Sequence, residues 1–202
     1  MKITAIKAQV KRAGRYSIYI DGTYSFSLRD TTLLESRLVL GQELAEEEVK
    51  EFQRLSGDDK LYDAALRYIA LRPRSVWEMQ TYLNRKQASP ALSESILNKL
   101  SINKLLDDQA FAEAFVRDRR LLKATSRRRL QLELRQKRIA SDIIEVVLPP
   151  DQLTEQSALA ELVARKRKQS RYQDPLKLMQ YLARQGFSYG DIKAALSVES
   201  ED

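Results

Sequence analysis

From residue 58 onward the apolar positions of this chain fall at i, i+3 and i+4, and the arrangement recurs. Leu61, Ala64, Ala65 and Tyr68 make one stripe; Phe111, Ala114 and Phe115 make another; Leu159, Leu162 and Val163 repeat the second 48 residues later. Such a stripe buries one face of an α-helix. Three further segments share a capping residue, an apolar residue four later and a leucine four after that: Ser75, Met79, Leu83; Ser126, Leu130, Leu134; Asp174, Leu178, Leu182. The first two sets are offset by 51 residues throughout and the last two by 48. Pairs at i, i+4 close each set: Ile96/Leu100, Ile143/Val147 and Ile192/Leu196. Each unit therefore reads as helix, short loop, helix, loop, helix. A period near fifty marks an array of supersecondary units that share a core and offer extended binding surfaces.

The first 57 residues follow another rule. Tyr16, Ile18 and Ile20 alternate with polar neighbours, Asp21-Gly22 follows, and Tyr24, Phe26 and Leu28 alternate again. An Asp-Gly pair between two alternating runs predicts a β-hairpin. Ile3 to Val10 adds a third strand, with a turn near Gly14, and Tyr16 and Tyr24 share the core face while Tyr19 points away. Residues 30–38 and 45–55 read as helices. The expected fold is mainly α: three tandem three-helix-bundle units behind a small N-terminal domain that contains a β-hairpin. The boundaries are 1–57, 58–106, 107–153 and 154–198, with 199–202 as a tail and Gly57-Asp58-Asp59 as the join to the first unit.

Composition narrows the chemistry. The chain has 202 residues and neither cysteine nor histidine. Disulfides, thiol and imidazole catalysis, and nearly every zinc site are thereby excluded, and a cytoplasmic home is the default. None of the six glycines belongs to a phosphate-binding loop. No apolar run reaches the length that spans a bilayer. No cofactor, metal or small-molecule substrate is expected.

Charge changes the picture more. Net charge is +7. Residues 117–138 hold ten basic side chains against two acidic ones. Arg117, Arg120, Lys123, Arg127, Arg128, Arg129, Arg135, Lys137 and Arg138 lie there, and Arg165, Lys166, Arg167, Lys168 and Arg171 form a second cluster. Both clusters fall at the end of a unit's first helix or the start of its second, so stacked units are expected to align them as a basic stripe. Isolated cations on a helix are usually a solvated face, but ten in 22 residues repel one another unless a partner offsets the cost. The stripe suits phosphates or an acidic protein surface. Asp58-Asp59 and Asp107-Asp108 resemble a metal pair. They open the first helices of two units, however, as Thr154-Glu155 opens the third, and capping is the simpler reading. Trp77 is assigned to packing between units.

Arg72-Pro-Arg-Ser75 ahead of Tyr82-Leu83, the run from Leu106 through Phe111 and Phe115 to Arg119, and the run from Gln185 through Tyr189 and Ile192 to Leu196 resemble the RecX family. The hairpin from Arg15 to Tyr24 is similar to the extension of its longer members. One departure is Lys123-Ala-Thr-Ser126, which stands where many members have a glycine-rich turn. The resemblance implies a modular helical-repeat regulator of the RecA recombinase, acting in DNA repair, recombination and the SOS response. It implies binding to the filament RecA forms on single- or double-stranded DNA, within the filament's groove, and inhibition of ATP hydrolysis and strand exchange. It implies no catalytic residue and no cofactor. A stand-alone DNA-binding protein of helical-repeat type is the alternative, and a magnesium-dependent nuclease using the aspartate pairs is a third reading.

Overall fold

The computed structural model describes residues 1–198, so the expected tail at 199–202 lies outside the described residues. Strands β1 (Ile3–Ala8), β2 (Arg15–Ile20) and β3 (Thr23–Arg29) form an antiparallel sheet in that order. Asp21 and Gly22 both take positive φ, 47° and 80°, as the tight turn between twisted strands requires. Ile18, Ile20, Phe26 and Leu28 are buried on one face. Tyr24 is not part of that core. The pairing slips between Ile18 and Tyr19, which sets Tyr24 opposite Tyr19. Tyr24 is 52% exposed and its ring meets Tyr19 edge-on at 6.1 Å. Tyr16 is half-buried.

Ten α-helices follow among the described residues: α1 (Asp30–Ser36), α2 (Glu46–Ala70), α3 (Val76–Arg85), α4 (Pro90–Ile102), α5 (Asp108–Lys123), α6 (Arg127–Gln136), α7 (Ser141–Val147), α8 (Gln152–Arg167), α9 (Pro175–Arg184) and α10 (Tyr189–Val198). The chain divides into two compact units, Met1–Arg72 with Gln80–Lys99, and Pro73–Met79 with the chain from Leu100 onward.

In the first unit the expected join at Gly57 is absent, because α2 runs unbroken through it for 25 residues. Asp58 and Asp59 therefore cap nothing. Asp58 pairs with Arg54 one turn earlier, at 3.1 Å. Asp59 accepts the backbone N–H of Arg29 at 2.7 Å and the hydroxyl of Thr32 at 2.9 Å. Asp63, one turn on, pairs with Arg15 and Arg29. These carboxylates fasten the sheet to the middle of α2, and that tertiary gain overrides the local preference of Gly57 for a break. At the start of α2, Glu46, Glu47 and Glu48 occupy the first turn, and the Glu48 carboxylate accepts the N–H of Ala45 at 2.7 Å. Tyr68 and Tyr82 stack at 4.2 Å, and the Tyr82 hydroxyl donates to the carbonyl of Ala64.

The second unit holds two apolar cores. One gathers Phe111, Ala112, Val116, Leu130, Leu134, Ile139, Ile144 and Leu148; the other gathers Ala124, Leu159, Leu162, Val163, Leu178, Leu182, Phe187 and Ile192. Leu83, Leu134 and Leu182, aligned by the sequence period, are each fully buried. The equivalent second helices also end alike. Gln87, Arg138 and Gly186 take positive φ of 60°, 59° and 92°, which turns the chain out of the helix. The turn Lys123-Ala-Thr-Ser126 needs no glycine, because Ala124 itself adopts the left-handed conformation, φ 44°, and returns its N–H to the carbonyl of Arg120.

Candidate basic interface

One polar device appears twice and sets where the cations stand. Ser75 Oγ accepts the N–H of Glu78 and donates to the carbonyl of Lys137 at 3.2 Å, and the Asp108 carboxylate accepts the N–H of Val76 at 2.8 Å. Ser126 Oγ accepts the N–H of Arg129 and donates to the carbonyl of Gln185 at 2.7 Å, and the Glu155 carboxylate accepts the N–H of Arg127 at 2.9 Å. Each serine thus satisfies the start of one helix and the end of another, and each carboxylate takes an N–H that a helix start leaves over. A side chain at residue 186 would collide with this arrangement, since a Cβ there would meet Ser126 Oγ at 2.6 Å. Asp174 and Pro175 hold the corresponding positions of α9, where proline has no N–H to give.

Capping therefore explains only part of the acidic pairs. Asp107 caps α5 through the N–H groups of Gln109 and Ala110. The cap of α8 is Asp151, and Glu155 serves Arg127 instead of opening its own helix. Burial pushes the Asp108 and Glu155 carboxyls above their ordinary values, partly opposed by the backbone N–H each accepts. Trp77 is 42% exposed.

With Leu130 and Leu134 turned inward, α6 presents Arg128, Arg129 and Leu132 outward. A cleft of about 520 Å³ opens there, lined by Phe115 and Arg119 of α5, by the outer face of α6, and by Ala183, Arg184 and Gly186. Arg119 Nε lies 2.9 Å from Glu133 Oε2, and Arg129 Nε lies 3.2 Å from Glu133 Oε1. Arg129 also donates to the carbonyl of Arg184 at 3.2 Å. The Arg119 guanidinium stands 5.0 Å from the centre of the Phe115 ring. Lys137, at the edge, pairs with the buried Glu78.

The residues of the expected stripe divide by what they touch. Arg128, Arg129 and Lys137 line the cleft, joined by Arg119 and Arg184. Arg127 is half-buried, and its Nε donates to the carbonyl of Leu148 at 2.9 Å. Arg165 donates to the carbonyl of Leu122, at the end of α5. Lys166 lies over the rings of Tyr181 and Tyr172, at 4.8 and 5.3 Å, and Arg171 stands 5.8 Å from Tyr172. Arg120 is half-buried near Asp151, which its hydrogen bonds with Thr154 chiefly hold low, and near Glu155, where the charge of Arg120 only partly offsets the rise that burial causes. Arg167 is half-buried as well. Arg117, Lys123, Arg135, Arg138 and Lys168 are exposed. Arg184 belongs to this surface although it stands outside both sequence clusters; its signal was its place in the last turn of α9, equivalent to Gln136.

These elements define a class: a tandem three-helix-repeat protein with a small antiparallel sheet at its start and a basic cleft in its second unit. Models of the regulatory protein RecX N-terminal domain, the first RecX three-helix domain and the second match residues 1–45, 62–100 and 107–148. The Regulatory protein RecX of Bacillus pumilus is 34% identical over 200 residues, covering 96% of this chain and 76% of the relative. That of Lactobacillus johnsonii is 38% identical over 143 residues, covering 71% of this chain. The alignment spans about half of this Lactobacillus relative, 52% of its length. A crystal structure of regulatory protein RecX superposes with a TM-score of 0.76 at 29% identity, covering 97% of this chain and 98% of the other. The chain belongs to the RecX family of regulatory proteins. No helix among the described residues is long and apolar enough to cross a membrane.

Proposed function

We propose that this protein binds the filament that a RecA recombinase forms on DNA and limits its ATP hydrolysis and strand exchange. The observation that carries the reading is the basic cleft, where Arg119, Arg128, Arg129, Lys137 and Arg184 line one concavity with a single carboxylate, Glu133. A filament offers phosphates and protein surface together, repeated along its length. An array of helical units meets such a target through several modest contacts at once, which multiplies their effect. Bound this way, the protein blocks the path of a second DNA and biases the filament toward the conformation it binds more tightly. Membership of a family of regulatory proteins supports the same reading. The acidic pairs speak for regulation over catalysis, since Asp107 and Asp108 are engaged at helix starts.

The test is the rate of ATP hydrolysis by a RecA filament on single-stranded DNA as the protein is added. The rate should fall at substoichiometric to equal ratios. The protein alone should turn over neither nucleotide nor DNA with magnesium. A flat titration with no capture of the recombinase would defeat the reading, and magnesium-dependent cleavage lost in Asp107→Asn or Asp108→Asn would replace it with a nuclease.

A further inference from the structure

The cleft between α5, α6 and the end of α9 contains its own anion. Arg119 and Arg129 converge on the two oxygens of Glu133, at 2.9 and 3.2 Å. The first contact is ionic only: Arg119 Nε and Glu133 Oε2 are both buried and neither makes a hydrogen bond. Glu133 therefore lowers the cost of holding two guanidinium groups side by side without using all their donors. Arg128 and Arg184 are exposed at the rim, and Leu132, 53% exposed, gives the wall an apolar face. The concavity, about 520 Å³, is within the range of sites that enclose a small organic group.

We propose that this cleft receives one phosphate and the adjoining nucleoside of an unpaired nucleic-acid strand, with Glu133 as a built-in counter-anion that positions Arg119 and Arg129 and limits how tightly the strand is held. The inference rests on the reading that DNA lies against this face of the protein. The rim arginines meet the phosphate. The apolar wall and the guanidinium plane of Arg119, already backed by Phe115, take the flat face of a base. A duplex keeps its bases inside a convex surface and leaves that wall unused, as does a plain acidic peptide.

The experiment is fluorescence anisotropy of a labelled oligothymidylate with the full chain across a salt series. Glu133→Gln should tighten binding about three- to tenfold, since a charge a few ångströms from the phosphate is removed. Glu161→Gln, an exposed site on α8, changes net charge equally and should shift affinity less than about twofold. Arg128→Ala should weaken binding about threefold or more and reduce the salt slope by about 0.7, the share of one phosphate contact on a single strand. Duplex and polyglutamate should compete poorly. Equal effects of Glu133→Gln and Glu161→Gln would reduce the cleft to bulk charge, and polyglutamate competing as well as the oligonucleotide would assign it to an acidic protein segment; either result overturns the proposal. Filament ATPase assayed with the same proteins separates the two readings. Inhibition that persists while the variants bind oligonucleotide like the parent sinks this site alone. Oligonucleotide shifts as expected without any inhibition sink the regulator alone.

Discussion

An arginine inside a protein is tolerated when its nitrogens find acceptors, and each of the three nitrogens of Arg15 donates to at least one. It is 2% exposed. Its Nε donates to Ser27 Oγ at 2.9 Å, and its terminal nitrogens reach Asp63 and the carbonyls of Ser27 and Ser56 at 2.9, 3.0 and 3.1 Å. Arg15→Ala strands those acceptors and should cost on the order of 3 kcal/mol, read as a shift in urea midpoint. A loss below about 1 kcal/mol would mean that water replaces the guanidinium. Asp108 and Glu155 work in the opposite electrostatic sense. Burial raises both carboxyls, so the folded chain takes up protons more readily than the unfolded chain. Their contribution is most favourable in acid and is lost as pH rises from the ordinary carboxyl value, about 4, through the raised folded value. The Asp108→Asn, Glu155→Gln double variant keeps an acceptor for each N–H and should flatten that part of the stability profile. Asp108→Ala has no acceptor to offer Val76 and should lose about 1–2 kcal/mol at neutral pH. If Asn and Ala cost the same, the hydrogen bond to Val76 contributes nothing.

At the scale of the element, α2 separates what pattern can foretell from what only packing reveals. Gly57 sits exposed inside a continuous helix, and a Cβ there would meet nothing within 4 Å. Gly57→Ala should therefore raise stability by about 0.5–1 kcal/mol, seen as a higher thermal midpoint with unchanged helicity. A lower midpoint would show that the helix needs this glycine to bend. The repeat was legible because its signals are local. Ser75, Ser126 and Asp174 cap where the offsets place them, Pro175 opens α9, and Leu83, Leu134 and Leu182 are buried. The continuity of α2 was not legible, because Gly-Asp-Asp carries the same signature whether a helix breaks there or distant groups use the carboxylates. Asp59 and Asp63 meet Arg29, Thr32 and Arg15, 27 to 48 residues away in sequence. The displacement of Tyr24 has the same origin, in a slip of strand register that alternation does not record.

At the scale of the whole chain, a positive balance of +7 does not say which cations a partner can reach. The sequence placed the greatest density in residues 117–138, and α6 does turn Arg128 and Arg129 toward a cleft. Yet neighbours in sequence have different duties. Arg127 is half-buried against the carbonyl of Leu148, with its N–H held by Glu155, whereas Arg128 is exposed at the cleft. Substituting Arg127, Arg128 and Arg129 together thus mixes a fold effect with a binding effect, and single substitutions separate them. Arg127→Ala should lower unfolding stability by about 1 kcal/mol through its lost hydrogen bond. Arg128→Ala should leave stability within about 0.5 kcal/mol, as surface substitutions generally do, yet weaken co-sedimentation with recombinase filaments. That weakening should be greatest at low salt and shrink as added ions screen the lost contact. Urea unfolding beside a co-sedimentation series at three salt concentrations decides the matter. If Arg128→Ala sediments like the parent at every salt while Arg127→Ala alone loses binding, the interface lies on the Arg127 side of α6 and the cleft is a surface without a partner.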